Sequence, residues 1–394
     1  MTAPGPATPI LPGGTLGILG GGQLGAMFAA AAKRMGYRVE AISDVADCPA
    51  AIHCDRLHVG DFTDEALLGR FAAECDAVTF EFENIPAAAG RALAGSVPVR
   101  PDPEILFTTQ DRAREKAFLT CHGFACAPYR IVRSRDELRR AVADIGLPAV
   151  LKTAAFGYDG KGQRKLLHPA DVDAGWAALN ADPHASHELV LEGFIDFDCE
   201  ISVVAARGSD GAVAMFPPSR NAHANHILDV SSVPAGLPQE VLHQAESTAG
   251  RILEALGLVG VACVEFFVTK DGRVLVNEIA PRTHNSGHLT IEACETSQFE
   301  QQVRAVCGLP LGSTRLRSPA AMANLLGDCW QAADGSRRDP DWAAALEVPG
   351  VWLHLYGKRE SRPGRKMGHL TALAATADEA IEKVTRARRL ACRG

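Results

Sequence analysis

The chain has 394 residues, 47% of them hydrophobic, with 40 Lys/Arg against 47 Asp/Glu and a formal net charge of −7. That length predicts two to three domains with a sizeable core, and the acidic balance without a clustered basic stripe argues against a nucleic-acid partner. No apolar run reaches the ~20 residues of a membrane span, and 11 cysteines, an odd count with no Cys-x-x-Cys, read as reduced thiols of a cytoplasmic protein rather than a disulfide or zinc framework.

Residues 1–13 carry no charged side chain and lack the basic start and apolar core of a signal peptide, so they read as a flexible tail. Thr15–Leu19 is a short apolar strand, Gly20–Gly25 a turn and Ala26–Met35 an Ala-rich helix. Tyr37–Ser43 and Ala77–Phe80 are further strands, and the alternation predicts a parallel α/β unit to about residue 106, edged by Pro98, Pro101 and Pro103. Arg112–His122 reads as a helix, Ala149–Thr153 as a strand, Phe156–Gly162 as a glycine-rich loop, and Leu189–Glu192 and Glu200–Arg207 as strands. Val241–Leu256 is a long amphipathic helix. Val261–Val268 and Arg273–Ile279 form a hairpin about a two-residue Asp271-Gly272 turn. Ala320–Leu326 and Val351–Tyr356 are strands of a final unit, Glu360–His369 a basic turn and Ala377–Arg389 a closing helix.

Several constellations carry chemistry. A turn centred on Asp271-Gly272 places Glu265 directly opposite Glu278. Like charges in that position repel, and a divalent cation turns the repulsion into a site; Mg²⁺ prefers carboxylate oxygens together with nucleotide phosphates. The plain alternative is a solvated hairpin. Gly20, Gly22 and Gly25 between strand and helix, with Asp44 after the next strand, satisfy the dinucleotide fingerprint; a tight turn without ligand fits the same residues. Lys152 ends a strand before the glycine-rich loop, whose backbone suits phosphates, although no Walker Gly-Lys-Ser/Thr follows. Glu192 to Ile195 closes a strand and Glu200 opens the next, as an adenine-pairing segment and a ribose acceptor would; an exposed strand end reads the same way. His223 and His226 have no third ligand near in sequence, so hydrogen bonding or a structural role is favoured over zinc. Lys358, Arg359, Arg362, Arg365 and Lys366 crowd one turn, which fits a monophosphate as well as a solvated loop.

Taken together, these motifs resemble the ATP-grasp enzymes, and within them the 5-(carboxyamino)imidazole ribonucleotide synthase family of purine biosynthesis. The resemblance runs from about Gly14 to Thr371 and rests on Gly-Gly-Gly-Gln-Leu-Gly (20–25), Phe-Glu-Phe-Glu-Asn-Ile (80–85), Gln-Asp-Arg (110–112), Gly-Tyr-Asp-Gly-Lys-Gly-Gln (157–163), Asn-Glu-Ile-Ala-Pro-Arg-Thr-His-Asn-Ser-Gly-His (277–288) and Arg-Pro-Gly-Arg-Lys-Met-Gly-His (362–369). It implies a mixed α/β and α+β chain with an ATP-grasp fold. After the tail at 1–13 come a Rossmann-like parallel domain (14–106), small (107–190) and large (191–312) ATP-grasp subdomains and a small β-rich C-terminal unit (313–394).

The resemblance also implies roles. Arg112, Lys152, Gly157, Tyr158, Asp159, Gly160, Lys161, Gly162 and Gln163 would bind ATP phosphates. Glu192, Gly193, Phe194 and Ile195 would frame adenine, Glu200 would hold the ribose, and His223 and Asn277 would line the same pocket. Glu265 and Glu278 would hold Mg²⁺, with Glu278 also touching ATP. Gly22, Gln23, Leu24, Glu81, Asn285, Lys358, Arg365 and Lys366 would bind aminoimidazole ribonucleotide, the last three around its 5′-phosphate. Tyr158, Arg282, His284 and Lys358 would surround bicarbonate and its successors as catalytic residues, in a homodimer. Arg220 departs from the pattern, standing where an acidic or neutral residue is expected. Two rival activities are a formate-dependent glycinamide ribonucleotide transformylase, against which the Tyr-Asp-Gly loop and the His-Asn-Ser-Gly-His run argue, and an NAD-dependent oxidoreductase. The second leaves Lys152, the Glu265/Glu278 pair and the basic turn unexplained.

Overall fold

The computed structural model describes residues 8–155, 162–180, 188–332 and 334–392. Three sheets organise them. The first is wholly parallel, in the order Arg56–Val59, Arg38–Ser43, Thr15–Leu19, Ala77–Phe80. Every residue of Thr15–Leu19 is buried, as a central parallel strand covered on both faces must be. Helix Gln23–Arg34 lays Phe28, Ala29 and Ala32 into this core, joined there by Phe299, Val303 and Val306 of helix Gln298–Cys307. The supposed loose tail is tied down from residue 8 onward: Ile10 N donates to Cys307 O at 2.8 Å and Tyr37 Oη donates to Ile10 O at 2.7 Å. Its apolar Ile10 has a core to join, which composition alone does not reveal.

The second sheet is antiparallel, in the order Tyr129–Val132, Leu189–Gly193, Ala149–Thr153, Gln163–Leu166. Helices Arg135–Ile145 and Asp171–Leu179 cover it, packing Leu138 and Val172 onto Leu151 and Leu189.

The third sheet has nine strands. Its order is Val274–Ala280, Gly260–Thr269, Phe197–Arg207, Ser219–Ala224, Ile227–Val233, Ala320–Leu326, Lys366–Leu373, Val351–Leu355, with Val213–Met215 pairing to Phe197–Arg207. The expected boundary at 312 thus falls inside one sheet, since Val230–Val233 pairs antiparallel with Ala320–Ala323. The hairpin Ser219–Ala224/Ile227–Val233 turns on Asn225 and His226, both at positive φ (50° and 65°) as a two-residue hairpin turn requires. The basic segment expected as a turn to His369 becomes strand at Lys366, because neighbours on both sides supply hydrogen bonds.

The cysteine reading needs one correction. Cys329 and Cys392 form a disulfide, and nine cysteines are free. An odd count excludes full pairing, not a single bridge. The bridge ties the end of helix Ala377–Ala391 to the turn Gly327–Trp330, across a separation of 63 residues. Closing a loop of that size restricts the unfolded chain, so Cys392→Ser should cost about 2–4 kcal/mol. Urea unfolding with and without dithiothreitol measures this: reductant should lower the wild type to the level of the variant and leave the variant unchanged.

Candidate active site

The sheets meet at a cleft of about 530 Å³. Its floor is the hairpin of Gly260–Thr269 and Val274–Ala280. The connecting loop holds Lys270, Asp271 and Gly272, closed by Thr269 N donating to Arg273 O at 2.9 Å, with Gly272 at φ +80°. This loop is one residue longer than the expected turn and by itself would set Glu265 opposite Asn277. A bulge between Glu265 and Phe266 leaves Asn277 as the extra residue and restores Glu265 opposite Glu278. The paired glutamates are therefore where the sequence places them, by a different route.

The electrostatics follow from that pairing. Burial, then Glu278 and Glu200, push the Glu265 carboxyl well above its ordinary range, with Lys366 and Arg282 opposing. Glu200 is pushed up to about 7 by burial and Glu278, against the pull of Lys152. His284 stands beside Glu265, Nε2 to Oε1 3.5 Å. Its Nδ1 accepts from Ser286 N at 3.3 Å and lies 2.9 Å from Ser286 Oγ. Burial, with Arg282 and Lys366 nearby, holds the imidazole well below its usual pKa, so the ring is neutral with its proton on Nε2. Behind it, Asn221 Nδ2 donates to Ser202 Oγ (3.0 Å), which donates to Ser286 Oγ (2.7 Å).

Facing the acids is a cationic wall on helix Arg112–Cys121, capped by Asp111 accepting from Arg114 N. Arg112 Nη1 lies 3.6 Å from Glu278 Oε2. One turn on, Lys116 is 1% exposed, donates to Asn277 O at 3.0 Å and sits 3.9 Å from Glu192 Oε1. Lys152 donates to Glu192 Oε2 at 2.9 Å. Burial would raise Glu192, but Lys116 and Lys152 outweigh it and hold the carboxyl at about 2. The Glu192 side chain, which lines the cleft, is thus held between two lysines. The Gly193 and Phe194 amides donate to Pro128 O (2.8 Å) and Pro148 O (3.1 Å). Phe194 and Ile195 line the cleft, as do Gln163, His223 and Asn277.

The sequence reading missed Glu115 and Lys116. Glu115 Oε1 accepts from Ile279 N at 2.6 Å, and burial pushes its carboxyl up to about 7, with Lys116 opposing. The available signal was an adjacent acid and base flanked by Ala113 and Leu119, both buried on the same helix.

The glycine loop behaves differently from its fingerprint. The Gly22 and Gly25 amides both donate to the Glu81 carboxylate, the latter at 2.8 Å. Gly20 holds φ +106°, and a Cβ on Gly20 or Gly22 would strike Glu81. The helix N-terminus is filled by the protein's own anion, which leaves these amides no dinucleotide phosphate to hold. Leu24 packs into the core, and Gln23 is half-buried at the start of the helix.

The remaining residues converge from the far rim. Arg282 pairs with Glu83, its Nη1 donates to Thr283 O at 2.9 Å, and its buried Nε has no hydrogen-bond partner among the described residues. The Asn285 amide is locked to Asn324 by two hydrogen bonds of 3.1 and 2.6 Å. In the basic segment, Arg359 and Arg362 face Asp47 (2.8 Å) and Glu360 (3.5 Å), so the crowded cations are partly paired. Lys358 donates to Lys366 O at 2.8 Å and Arg365 to Glu360 O at 2.9 Å, while Lys366 lines the cleft. His223 Nδ1 lies 3.3 Å from Glu200, and His226 Nδ1 3.4 Å from Gln163 Nε2. Gly157, Tyr158, Asp159, Gly160 and Lys161 lie outside the described residues.

Three family models match in chain order: the ribonucleotide synthetase preATP-grasp domain over residues 14–110, the ATP-grasp domain over 117–299 and the phosphoribosylaminoimidazole carboxylase C-terminal domain over 320–383. An N5-carboxyaminoimidazole ribonucleotide synthase of Brucella melitensis is 44% identical over 368 residues, 93% of this chain and 98% of its own. The chain belongs to the N5-carboxyaminoimidazole ribonucleotide synthase family. Among solved family structures, the Staphylococcus aureus N5-carboxyaminoimidazole synthetase complexed with ADP is 33% identical with a TM-score of 0.89, over 97% of this chain and 99% of that one. The Aspergillus clavatus N5-carboxyaminoimidazole synthase in complex with ADP and 5-aminoimidazole ribonucleotide is 29% identical with a TM-score of 0.84, over 96% of this chain and 98% of that one.

Within this member of the synthase family, Glu192 holds two buried cations together. Glu192→Gln should therefore cost about 3–5 kcal/mol, the penalty of leaving buried charge uncompensated. Adding Lys116→Met should recover part of that loss, and urea melts of the single and double variants measure both.

Proposed function

We infer that the protein is an ATP- and bicarbonate-dependent ligase that carboxylates 5-aminoimidazole ribonucleotide to N5-carboxyaminoimidazole ribonucleotide, releasing ADP and phosphate, in purine biosynthesis. The observation that carries this reading is one cleft lined by the Glu265/Glu278 pair and by Arg112 and Lys152, with Arg282 and Lys366 at the rim and Lys116 buried behind the cations. A metal-bound polyphosphate suits a cleft that carries both of the first two groups, and a second anionic substrate suits the third.

Glu265 and Glu278 would hold Mg²⁺. Their mutual repulsion, expressed in the raised Glu265 carboxyl, is what a divalent cation relieves, and the all-oxygen pair suits magnesium. Bound there, the ion neutralises phosphate charge. Arg112 and Lys152 bind the β- and γ-phosphates, and Glu200 accepts from the ribose hydroxyls. Bicarbonate attacks the γ-phosphorus, giving carboxyphosphate and ADP. This step needs positioning and charge neutralisation more than covalent help. Arg282 holds the bicarbonate and carboxyphosphate oxygens through its Nε, which no described residue engages. Carboxyphosphate breaks down to carbon dioxide and phosphate beside the exocyclic amine, which adds to the carbon and loses a proton. The neutral His284, protonated on Nε2, serves as a hydrogen-bond donor toward these anions. Lys358, Arg365 and Lys366 bind the 5′-phosphate. ATP lies between residues 107–190 and 191–312, and the glycine-rich loop at Gly157 to Gln163 excludes water from the labile intermediate. A homodimer, which rests on family resemblance alone, and a cytoplasmic location, read from the nine free thiols, complete the reading; sedimentation equilibrium tests the dimer.

The decisive assay is ADP release from MgATP and bicarbonate, with and without aminoimidazole ribonucleotide, using glycinamide ribonucleotide plus formate as the control. Only aminoimidazole ribonucleotide should stimulate release, and Arg282→Ala should lower kcat about 10²–10³-fold, as loss of one anion-stabilising donor does. Stimulation by the control pair alone would make the enzyme a transformylase. The Glu200 carboxyl supplies a second test. A carboxylate accepts from ribose and its protonated form does so poorly, so MgATP affinity should fall as pH drops through about 7. Glu200→Gln should bind more weakly at high pH and show a flatter profile by calorimetry.

A further inference from the structure

Cys263 has no part in the reaction above, yet it stands next to the machinery. It lies two residues before Glu265 on strand Gly260–Thr269, so both side chains leave the same face of the sheet. His284 reaches the same point from the loop after the partner strand. Ligand atoms of Cys263, Glu265 and His284 all lie within 4.8 Å of one another, and among the described residues no other trio of His, Cys, Asp or Glu side chains does so. We propose that these three residues form a binding site for a borderline-soft divalent transition metal, of which zinc is the type, sharing Glu265 with the magnesium pair.

The donor set decides the class of metal. One thiolate, one imidazole and one carboxylate suit zinc or cobalt, whereas magnesium takes oxygens alone. At zinc–ligand lengths of about 2.0–2.3 Å, two ligands of one tetrahedron stand roughly 3.3–3.6 Å apart, and His284 Nε2 already lies 3.5 Å from Glu265 Oε1. The surroundings of the imidazole fit as well. With a metal on Nε2 the ring proton moves to Nδ1, which gives up the 3.3 Å bond from Ser286 N and donates instead to Ser286 Oγ, 2.9 Å away. Ser286 is itself held by Ser202 and Asn221, the kind of outer support that fixes a ligating histidine. Cys263 Sγ lies 3.9 Å from the same hydroxyl, so the thiol faces this polar cluster. Binding displaces the thiol proton to solvent and forms the metal–sulfur bond. Glu265 and His284 line the cleft, which supplies the entry path and an open fourth position for water.

The consequence is inhibition. A zinc-class ion at this trio removes Glu265 from the magnesium pair and His284 from the reacting anions. That consequence rests on the magnesium reading; the binding itself does not, and the two are measured separately. Co²⁺ added to the full-length protein, without nucleotide, should give a near-ultraviolet thiolate-to-cobalt absorption band. The band should vanish in Cys263→Ser and in Cys263→Ala, and persist in Cys121→Ser, which removes the exposed thiol. Under saturating MgATP, bicarbonate and aminoimidazole ribonucleotide, Zn²⁺ should inhibit the wild type. The inhibiting concentration should rise in Cys263→Ser by at least about tenfold, the loss that removing even an outer-shell partner brings. An unchanged band and unchanged zinc sensitivity in both Cys263 variants would overturn the site. Should both variants fail to fold, anomalous diffraction at the zinc edge from soaked wild-type crystals decides: a peak bonded to Cys263 Sγ supports the site, and peaks only elsewhere overturn it. A cobalt band without zinc inhibition would keep the metal site and overturn the magnesium role of Glu265.

Discussion

Two glutamates facing each other across a hairpin repel, and the architecture of the cleft is arranged around that repulsion. Glu265 and Glu278 are brought opposite by the Asn277 bulge, which also turns the Asn277 carbonyl toward Lys116. One extra backbone residue therefore does two things at once: it sets the carboxylate pair and anchors the first buried cation of the opposing wall. Arg112, a turn away from Lys116 on the same helix, reaches back to Glu278. The floor and the wall are thus joined by contacts whose geometry depends on a single register shift.

Charge balance explains why so many ionisable groups tolerate burial here. Glu192 lies between Lys116 and Lys152, so three charges share one low-dielectric pocket with a surplus of positive charge toward the cleft. Across from it, Glu200, Glu265 and Glu278 crowd three acids together, where burial and repulsion raise Glu200 and Glu265 and a bound cation would restore their negative charge. Preorganised opposite fields of this kind stabilise charge that shifts during phosphoryl transfer without reorganising at the moment of reaction. The glycine loop shows the same economy on a smaller scale: its helix N-terminus is neutralised by Glu81, and that carboxylate in turn feels Arg282 and Lys358.

Much of this was legible in the amino-acid order because it rests on local patterns. Strands such as Thr15–Leu19, Ala77–Phe80, Ala149–Thr153 and Ala320–Leu326 are short, mostly apolar runs and fall where expected. The Glu265/Glu278 pairing was readable because one turn and one alternation nearly determine it; the longer loop and the bulge cancelled. What escaped depends on distant partners. Lys116 is buried by Glu192, 76 positions away in the chain, and no local pattern announces a buried lysine. Strand Ser219–Ala224 shows no apolar alternation because its inward Ser219 and Asn221 meet Ser202 and Ser231 rather than apolar neighbours. Nor does the phosphate fingerprint at Gly20 reveal that Glu81 fills it.

The nine-stranded sheet has a consequence for how this chain can be divided. Strand Ile227–Val233 is paired on one side by Ser219–Ala224 and on the other by Ala320–Leu326. A chain cut before Ala320 would strip that second side, leaving a row of open amides and carbonyls along the middle of what is now a continuous surface, a ready template for self-association. Asn285 would lose Asn324 in the same cut. The last 75 residues are therefore less an appended module than the second half of a wall, and the cleft and its far rim are inherited together or not at all.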